Sequence, residues 1–101
     1  MRIIEDKNFK DEVKEGVVLV DFFASWCGPC RMMGAILEEV DGKIDGLKIV
    51  KLDTDESTTV AREFGIMSIP TLIIFKDGQM QEKHIGVWQK EDMIESIRKY
   101  L

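Results

Sequence analysis

The chain has 101 residues, of which 45% are hydrophobic and 33% are charged, and its formal net charge is −5. This length predicts one domain with one hydrophobic core over residues 1–101, and the composition excludes intrinsic disorder. Because acidic and basic residues are interspersed, no basic cluster favours binding to nucleic acid or to an anionic membrane.

The N-terminal residues, Met1 to Lys7, carry charges and contain no apolar run typical of a signal peptide. No segment approaches the roughly 18 consecutive apolar residues of a membrane span. We therefore expect a cytoplasmic protein.

Strand-like and helix-like patterns alternate from the N-terminus onwards. Residues 2–5 predict a short strand, and Asp6 or Asn8 can cap a first helix that Gly16 ends. The apolar run Val17–Phe23 is typical of a central strand covered on both faces. A helix follows the cysteines, with apolar residues at helical spacing and a glycine at its end: Met33, Ile36, Leu37, Val40 and then Gly42 or Gly46.

The second half of the chain continues the alternation. The pair Asp77–Gly78 predicts a tight hairpin, so the last strand is antiparallel to the strand before it. The remaining predicted elements are a strand at 47–53, a helix at 54–64, strands at 71–75 and 80–85, and a helix from Gln89. The sum is an α/β fold with a mixed central sheet of about five strands and about four helices on its two faces.

Cys27 and Cys30 lie three positions apart where a strand passes into a helix. This spacing places both sulfurs on one helix face, near enough for a disulfide. Unpaired N–H groups at the helix start favour the thiolate of Cys27, and Pro29 fits the first turn. A zinc site needs about four ligands and His84 is the one histidine, so redox chemistry is favoured over a metal site or inert thiols.

Asp21 stands inside an otherwise apolar strand. Burial of a carboxylate is unfavourable and raises its pKa towards neutrality. Such carboxylates are often acid–base catalysts.

The string from Asp21 to Cys30, DFFASWCGPC, resembles the thioredoxin family, and so does Ser68-Ile69-Pro70-Thr71 with the later Lys-Asp-Gly turn. The resemblance covers essentially the whole chain. The Gly-Pro pair between the cysteines is typical of thioredoxins rather than of isomerases, glutaredoxins or periplasmic oxidants.

The resemblance implies a general protein disulfide reductase with the thioredoxin fold. Cys27 would attack a substrate disulfide, and Cys30, the more buried of the two, would resolve the mixed disulfide. Asp21 would relay a proton to or from Cys30 through water, with Lys51 as its neighbour. A buried structural ion pair between Asp21 and Lys51 is the alternative interpretation.

The resemblance also implies a cis peptide before Pro70 and backbone pairing between Ile69 and an extended client. The residues assigned to substrate binding are Trp26, Gly28, Pro29, Ile69, Pro70, Gly86 and Val87. The implied partners are disulfide-containing client proteins and a thioredoxin reductase. We expect a monomer with no metal and no bound cofactor.

Several features are less specific. The family usually has a proline near the start of the helix after the cysteines, and Gly34 and Ala35 stand there instead, which leaves a kink open. His84 is interpreted as a solvated or cross-strand residue, and Met32 and Met33 as core filling. A disulfide oxidant or isomerase and a redox-inactive binding module remain as alternative functions.

Overall fold

The computed structural model describes all residues, 1–101, and contains five strands and four helices, as predicted. The strands are β1 (Arg2–Ile4), β2 (Val17–Phe23), β3 (Leu47–Asp53), β4 (Thr71–Lys76) and β5 (Gln79–Ile85). The helices are α1 (Phe9–Val13), α2 (Gly28–Val40), α3 (Thr58–Glu63) and α4 (Lys90–Arg98), with a single 3₁₀ turn at Asp6–Asn8 before α1. No helix combines the length and the apolar character that crossing a membrane requires.

The five strands form one mixed sheet in the order β1-β3-β2-β4-β5. β1 and β2 run parallel to β3, whereas β4 is antiparallel to β2 and β5 is antiparallel to β4. The β4–β5 hairpin turns at Asp77 and Gly78, which both have positive φ, 49° and 83°. This is the conformation that a two-residue hairpin turn requires and that Asp-Gly readily adopts. The ladder of the hairpin has one register irregularity between Ile74 and Phe75.

The central strand β2 divides the core into two clusters, because successive side chains of a strand point to opposite faces. Val18, Val20 and Phe22 pack with α1 and α3 on one face. Val17 and Leu19 pack with α2 and α4 on the other. The prediction of a central strand covered on both faces is therefore confirmed.

Residues 54–57 differ from the sequence prediction, which began the third helix at residue 54. The backbone oxygen of Asp53 accepts hydrogen bonds from the N–H groups of Glu56 and Ser57, at 3.2 and 2.8 Å. These contacts form a turn, so α3 begins only at Thr58. A smaller difference involves Met32, which is 59% exposed rather than in the core. The helix α2, for which the sequence left a kink open, is one uninterrupted helix through Gly34.

Asp6 does not cap the first helix. Its carboxylate instead accepts hydrogen bonds from the N–H groups of Thr59 and Val60, at 3.2 and 3.0 Å, in the first turn of α3. Ser57, the residue at the N-cap position of α3, makes no capping hydrogen bond with its own side chain. A carboxylate from a distant part of the chain therefore satisfies two of the free amides at the start of α3.

We predict that Asp6→Ala lowers the free energy of unfolding by about 1 kcal/mol, because it removes a helix cap, and that Asp6→Asn lowers it less. Urea denaturation followed by circular dichroism measures the difference. Lys7→Ala is the matched control, since the Lys7 side chain is 76% exposed and its ion pair with Glu5 spans 3.8 Å. Equal losses in Asp6→Ala and Lys7→Ala would contradict the capping role.

Candidate active site

Two loops meet at one end of β2. The first, residues 24–27, follows β2 and leads into α2, and the second, residues 65–70, precedes β4. Because β4 is antiparallel to β2, with Phe22 opposite Thr71, the start of β4 lies beside the end of β2. The sheet topology therefore brings the Cys-Gly-Pro-Cys segment next to Ile69 and Pro70.

Cys27 and Cys30 are joined by a disulfide, with their Cα atoms 5.2 Å apart. Cys27 is the N-cap of α2, and its Sγ accepts a hydrogen bond from the N–H of Cys30 at 3.1 Å. Pro29 lies in the first turn of the helix, as predicted. Cys27 is 4% exposed and Cys30 is 3% exposed, so the two residues are buried almost equally. The sequence analysis expected Cys30 to be clearly the more buried.

The second loop supplies backbone groups to the sulfurs. The peptide bond between Ile69 and Pro70 is cis, as predicted. The carbonyl oxygen of Ile69 lies 3.8 Å from Cys27 Sγ. A third segment joins the site where the N–H of Gly86 donates a hydrogen bond to the carbonyl oxygen of Pro70 at 2.8 Å, with Val87 following in the chain.

Trp26 is 69% exposed beside the disulfide. Its indole Nε1–H donates a hydrogen bond to Oδ2 of Asp55 at 2.7 Å, which fixes the orientation of an otherwise free ring. The loop of Asp55 is itself ordered, because the N–H of Asp55 donates to Oδ1 of Asp53 at 2.9 Å. Sequence reasoning missed Asp55, since no spacing relates it to Trp26. Gly28 and Pro29 are also exposed at this surface.

Asp21 is fully buried on the face of β2 that α2 and α4 cover. Neither of its carboxylate oxygens has a hydrogen-bond partner in the protein. Desolvation raises the pKa of Asp21 to about 6, although the positive charge of Lys51 acts in the opposite direction. The predicted shift towards neutrality is therefore present, and loss of water is its main cause.

Lys51 lies directly opposite Asp21 in the parallel β2–β3 ladder, so the two side chains share one face of the sheet. They make no hydrogen bond, and Lys51 is only half-buried, so the buried structural ion pair considered from the sequence does not form as a direct contact. Lys51 Nζ instead lies 4.5 Å from the centroid of the Phe23 ring. It would also be 3.6 Å from a Cβ at position 34, so Gly34 leaves space for it. Lys51 therefore acts on Asp21 through space.

Two further questions from the sequence concern His84 and a metal site. His84 is half-buried and stacks on Trp88 rather than being freely solvated. No group of three or more His, Cys, Asp and Glu side chains is arranged to hold a metal ion.

Comparisons with known proteins agree with this geometry. The family profile described as Thioredoxin matches residues 1–99. Thioredoxin from Staphylococcus saprophyticus is 50% identical over 99 residues, which cover 97% of this chain and 95% of that protein. Thioredoxin from Bacillus subtilis is 50% identical over 97 residues, which cover 95% and 93% of the two chains.

Solved structures are similar as well. A mutant thioredoxin from Halobacterium salinarum has a TM-score of 0.90 and 31% identity, and the match covers 99% of this chain and 88% of that one. The oxidised form of mitochondrial thioredoxin 3 from Saccharomyces cerevisiae has a TM-score of 0.87 and 31% identity. That match covers 98% of this chain and 93% of the yeast protein.

The raised pKa of Asp21 predicts a specific pH dependence of stability. A pKa of about 6 against the ordinary 3.8 means that the folded state binds the proton more tightly than the unfolded state does. Stability is therefore lost as the pH rises from about 4 to about 6, and the full loss is of the order of 3 kcal/mol. Asp21→Asn removes this loss.

At pH 4 we expect Asp21→Asn, Asp45→Asn and the parent to unfold at the same urea concentration. At pH 8 we expect Asp21→Asn to be more stable than the parent by about 3 kcal/mol, whereas Asp45→Asn should match the parent. Asp45→Asn is the matched control, because Asp45 is an exposed carboxylate that makes no hydrogen bond and no ion pair. An Asp21→Asn variant that is less stable than the parent at pH 8 would contradict this account.

Proposed function

The chain belongs to the thioredoxin family, and from this premise we propose that Cys27 and Cys30 reduce the disulfides of client proteins. The chain is a dithiol–disulfide oxidoreductase. One observation carries the assignment of roles: Cys27 Sγ sits at the N-cap of α2 and accepts the N–H of Cys30. The same donor and the helix N-terminus stabilise a thiolate at Cys27 in the reduced protein.

In the first step, the Cys27 thiolate attacks one sulfur of a client disulfide. A mixed disulfide between Cys27 and the client forms, the client S–S bond breaks, and the first client thiolate leaves. Cys27 is the nucleophile because it holds the helix cap, whereas Cys30 lies inside the first turn of α2. A thiolate near neutral pH is the species that carries out such exchange.

In the second step, Cys30 attacks Cys27 Sγ, which closes the intramolecular disulfide and releases the second client thiolate. Two electrons pass from the dithiol to the client, and the Cys30 thiol must lose its proton. Asp21 accepts this proton through an intervening water, since its carboxylate makes no direct hydrogen bond within the protein. A carboxylate with a pKa of about 6 is mostly ionised at pH 7 yet basic enough to bind the proton. Lys51 tunes Asp21 through its charge.

Clients dock on a surface around the disulfide that we term the client rim: Trp26, Gly28, Pro29, Ile69, Pro70, Gly86 and Val87. The N–H of Ile69 makes no hydrogen bond within the chain, so it is free to pair with an extended client segment. Trp26, held by Asp55, adds an exposed apolar face. The three segments of the client rim thus offer a backbone donor beside the reacting sulfur.

The reaction needs no bound cofactor, because the electrons reside in the cysteine pair. A thioredoxin reductase regenerates the dithiol after each cycle, as is typical of the family. We further propose that residues 1–101 act as one domain, as a monomer in the cytoplasm, without nucleic acid or membrane partners. The reducing state of that compartment suits a protein that donates electrons.

The central test follows the reduction of insulin disulfides with dithiothreitol as the electron donor. We expect Cys27→Ser to reduce the rate to that of dithiothreitol alone. Cys30→Ser, which retains the nucleophile, should accumulate a mixed disulfide that mass spectrometry detects. Ser25→Ala, an exposed position in the same loop, serves as the matched control. Full activity in Cys27→Ser would favour a binding module instead.

The direction of electron flow has its own measurement. Equilibrating the Cys27–Cys30 pair in graded glutathione buffers, with Trp26 fluorescence as the readout and thiol alkylation as a check, gives its reduction potential. We expect a value below that of the cytosolic glutathione couple, because the dithiol must be the reductant. A value well above it would instead identify an oxidant or isomerase.

A further inference from the structure

The segment Gly86–Trp88, which contributes two residues to the client rim, is attached to the fold at each of its three positions. The N–H of Gly86 donates to the carbonyl oxygen of Pro70 at 2.8 Å. The carbonyl oxygen of Val87 lies 3.3 Å from Nε2 of His84. The N–H of Trp88 donates to Sδ of Met33 at 3.2 Å. This segment is therefore held by the second loop, by β5 and by α2.

The imidazole ring of His84 makes two contacts with this segment. Its imidazole stacks on the indole of Trp88, with ring centroids 4.5 Å apart and planes 2° from parallel. The same ring contacts the Val87 carbonyl through Nε2, which requires the proton on that nitrogen. Trp88 is 6% exposed and His84 is half-buried, so the stack lies largely out of water.

The position of His84 in the sheet explains how its side chain reaches both Val87 and Trp88. It lies opposite Leu72 in the β4–β5 ladder, so its side chain projects on the face of the sheet that carries α2 and α4. Its neighbours Lys83 and Ile85 are exposed on the other face. His84 is thus the last inward-facing residue of β5 before the chain leaves the sheet at Gly86.

We propose that His84 is a positioning residue for client binding: it holds the Gly86–Trp88 segment in the conformation that a client contacts. This inference rests on the proposed function, because Gly86 and Val87 belong to the client rim. A segment already fixed before binding loses less conformational freedom when the client docks, which strengthens binding. His84 makes no contact with Cys27 or Cys30, so it does not take part in the chemical steps.

Three variants separate the two contacts of the ring. His84→Phe retains a flat ring for stacking and removes the donor to Val87, whereas His84→Gln retains a donor and removes the ring. His84→Ala removes both. Gln81→Ala is the matched control, since Gln81 is an exposed residue of the same strand that makes no contact with the Gly86–Trp88 segment.

The measurement is the steady-state reduction of insulin, with dithiothreitol as the electron donor, beside the reduction of glutathione disulfide. We expect His84→Ala to raise the KM for insulin by about threefold to tenfold with kcat unchanged, and His84→Phe and His84→Gln to raise it less. The rate with glutathione disulfide, which is too small to use the whole client rim, should not change. Gln81→Ala should match the parent throughout.

Other outcomes would overturn the assignment. A KM unchanged in His84→Ala, or equal rate losses with insulin and glutathione disulfide in His84→Phe and His84→Gln, would show that His84 serves stability alone. Thermal unfolding of each variant identifies any that fails to fold, and the two conservative variants then decide. If the parent protein itself does not reduce insulin, the proposed function fails and the role of His84 fails with it. If the parent does so and KM is unaffected, only His84 is misassigned.

Discussion

Burial of β2 on both faces is the constraint on which the rest of the structure depends. Its side chains form the centre of both core clusters, so helices must cover the sheet on each side. The strand ends at Phe23, and the short loop 24–27 then leads into α2. The reactive sulfurs thus lie just beyond the end of the strand that forms the centre of the core, and the antiparallel β4 brings Pro70 to the same end.

Asp21 lowers the stability of this strand at the position to which we assign a chemical role. An apolar residue at its position would fit the surrounding cluster, and the carboxylate instead lies without a hydrogen bond. The same desolvation that destabilises the ionised form brings its pKa into the range useful for proton transfer. Lys51 limits the shift, and its place over Phe23 keeps the positive charge near without forming a direct pair.

Patterns within one segment were enough to predict most of the fold. Apolar runs located the strands, helical spacing located α2 and α4, and Asp77–Gly78 located the hairpin. The cis bond before Pro70 came from the family resemblance, because the residues alone favour trans. Contacts between distant segments were not predictable, since no local pattern records them. Asp55 beneath Trp26, Asp6 on α3 and His84 against Trp88 all belong to this class.

The open edge of the sheet has a consequence for self-association. β5 leaves one side of its backbone unpaired, and a long, flat, apolar strand in that position would recruit strands from other molecules. Here the strand carries Gln79, Gln81 and Lys83 towards solvent, and the irregularity between Ile74 and Phe75 interrupts the regular ladder beside it. The other edge, β1, is only three residues long. The short β1 and the polar side chains of β5 therefore disfavour pairing between strands of different molecules at both edges of the sheet.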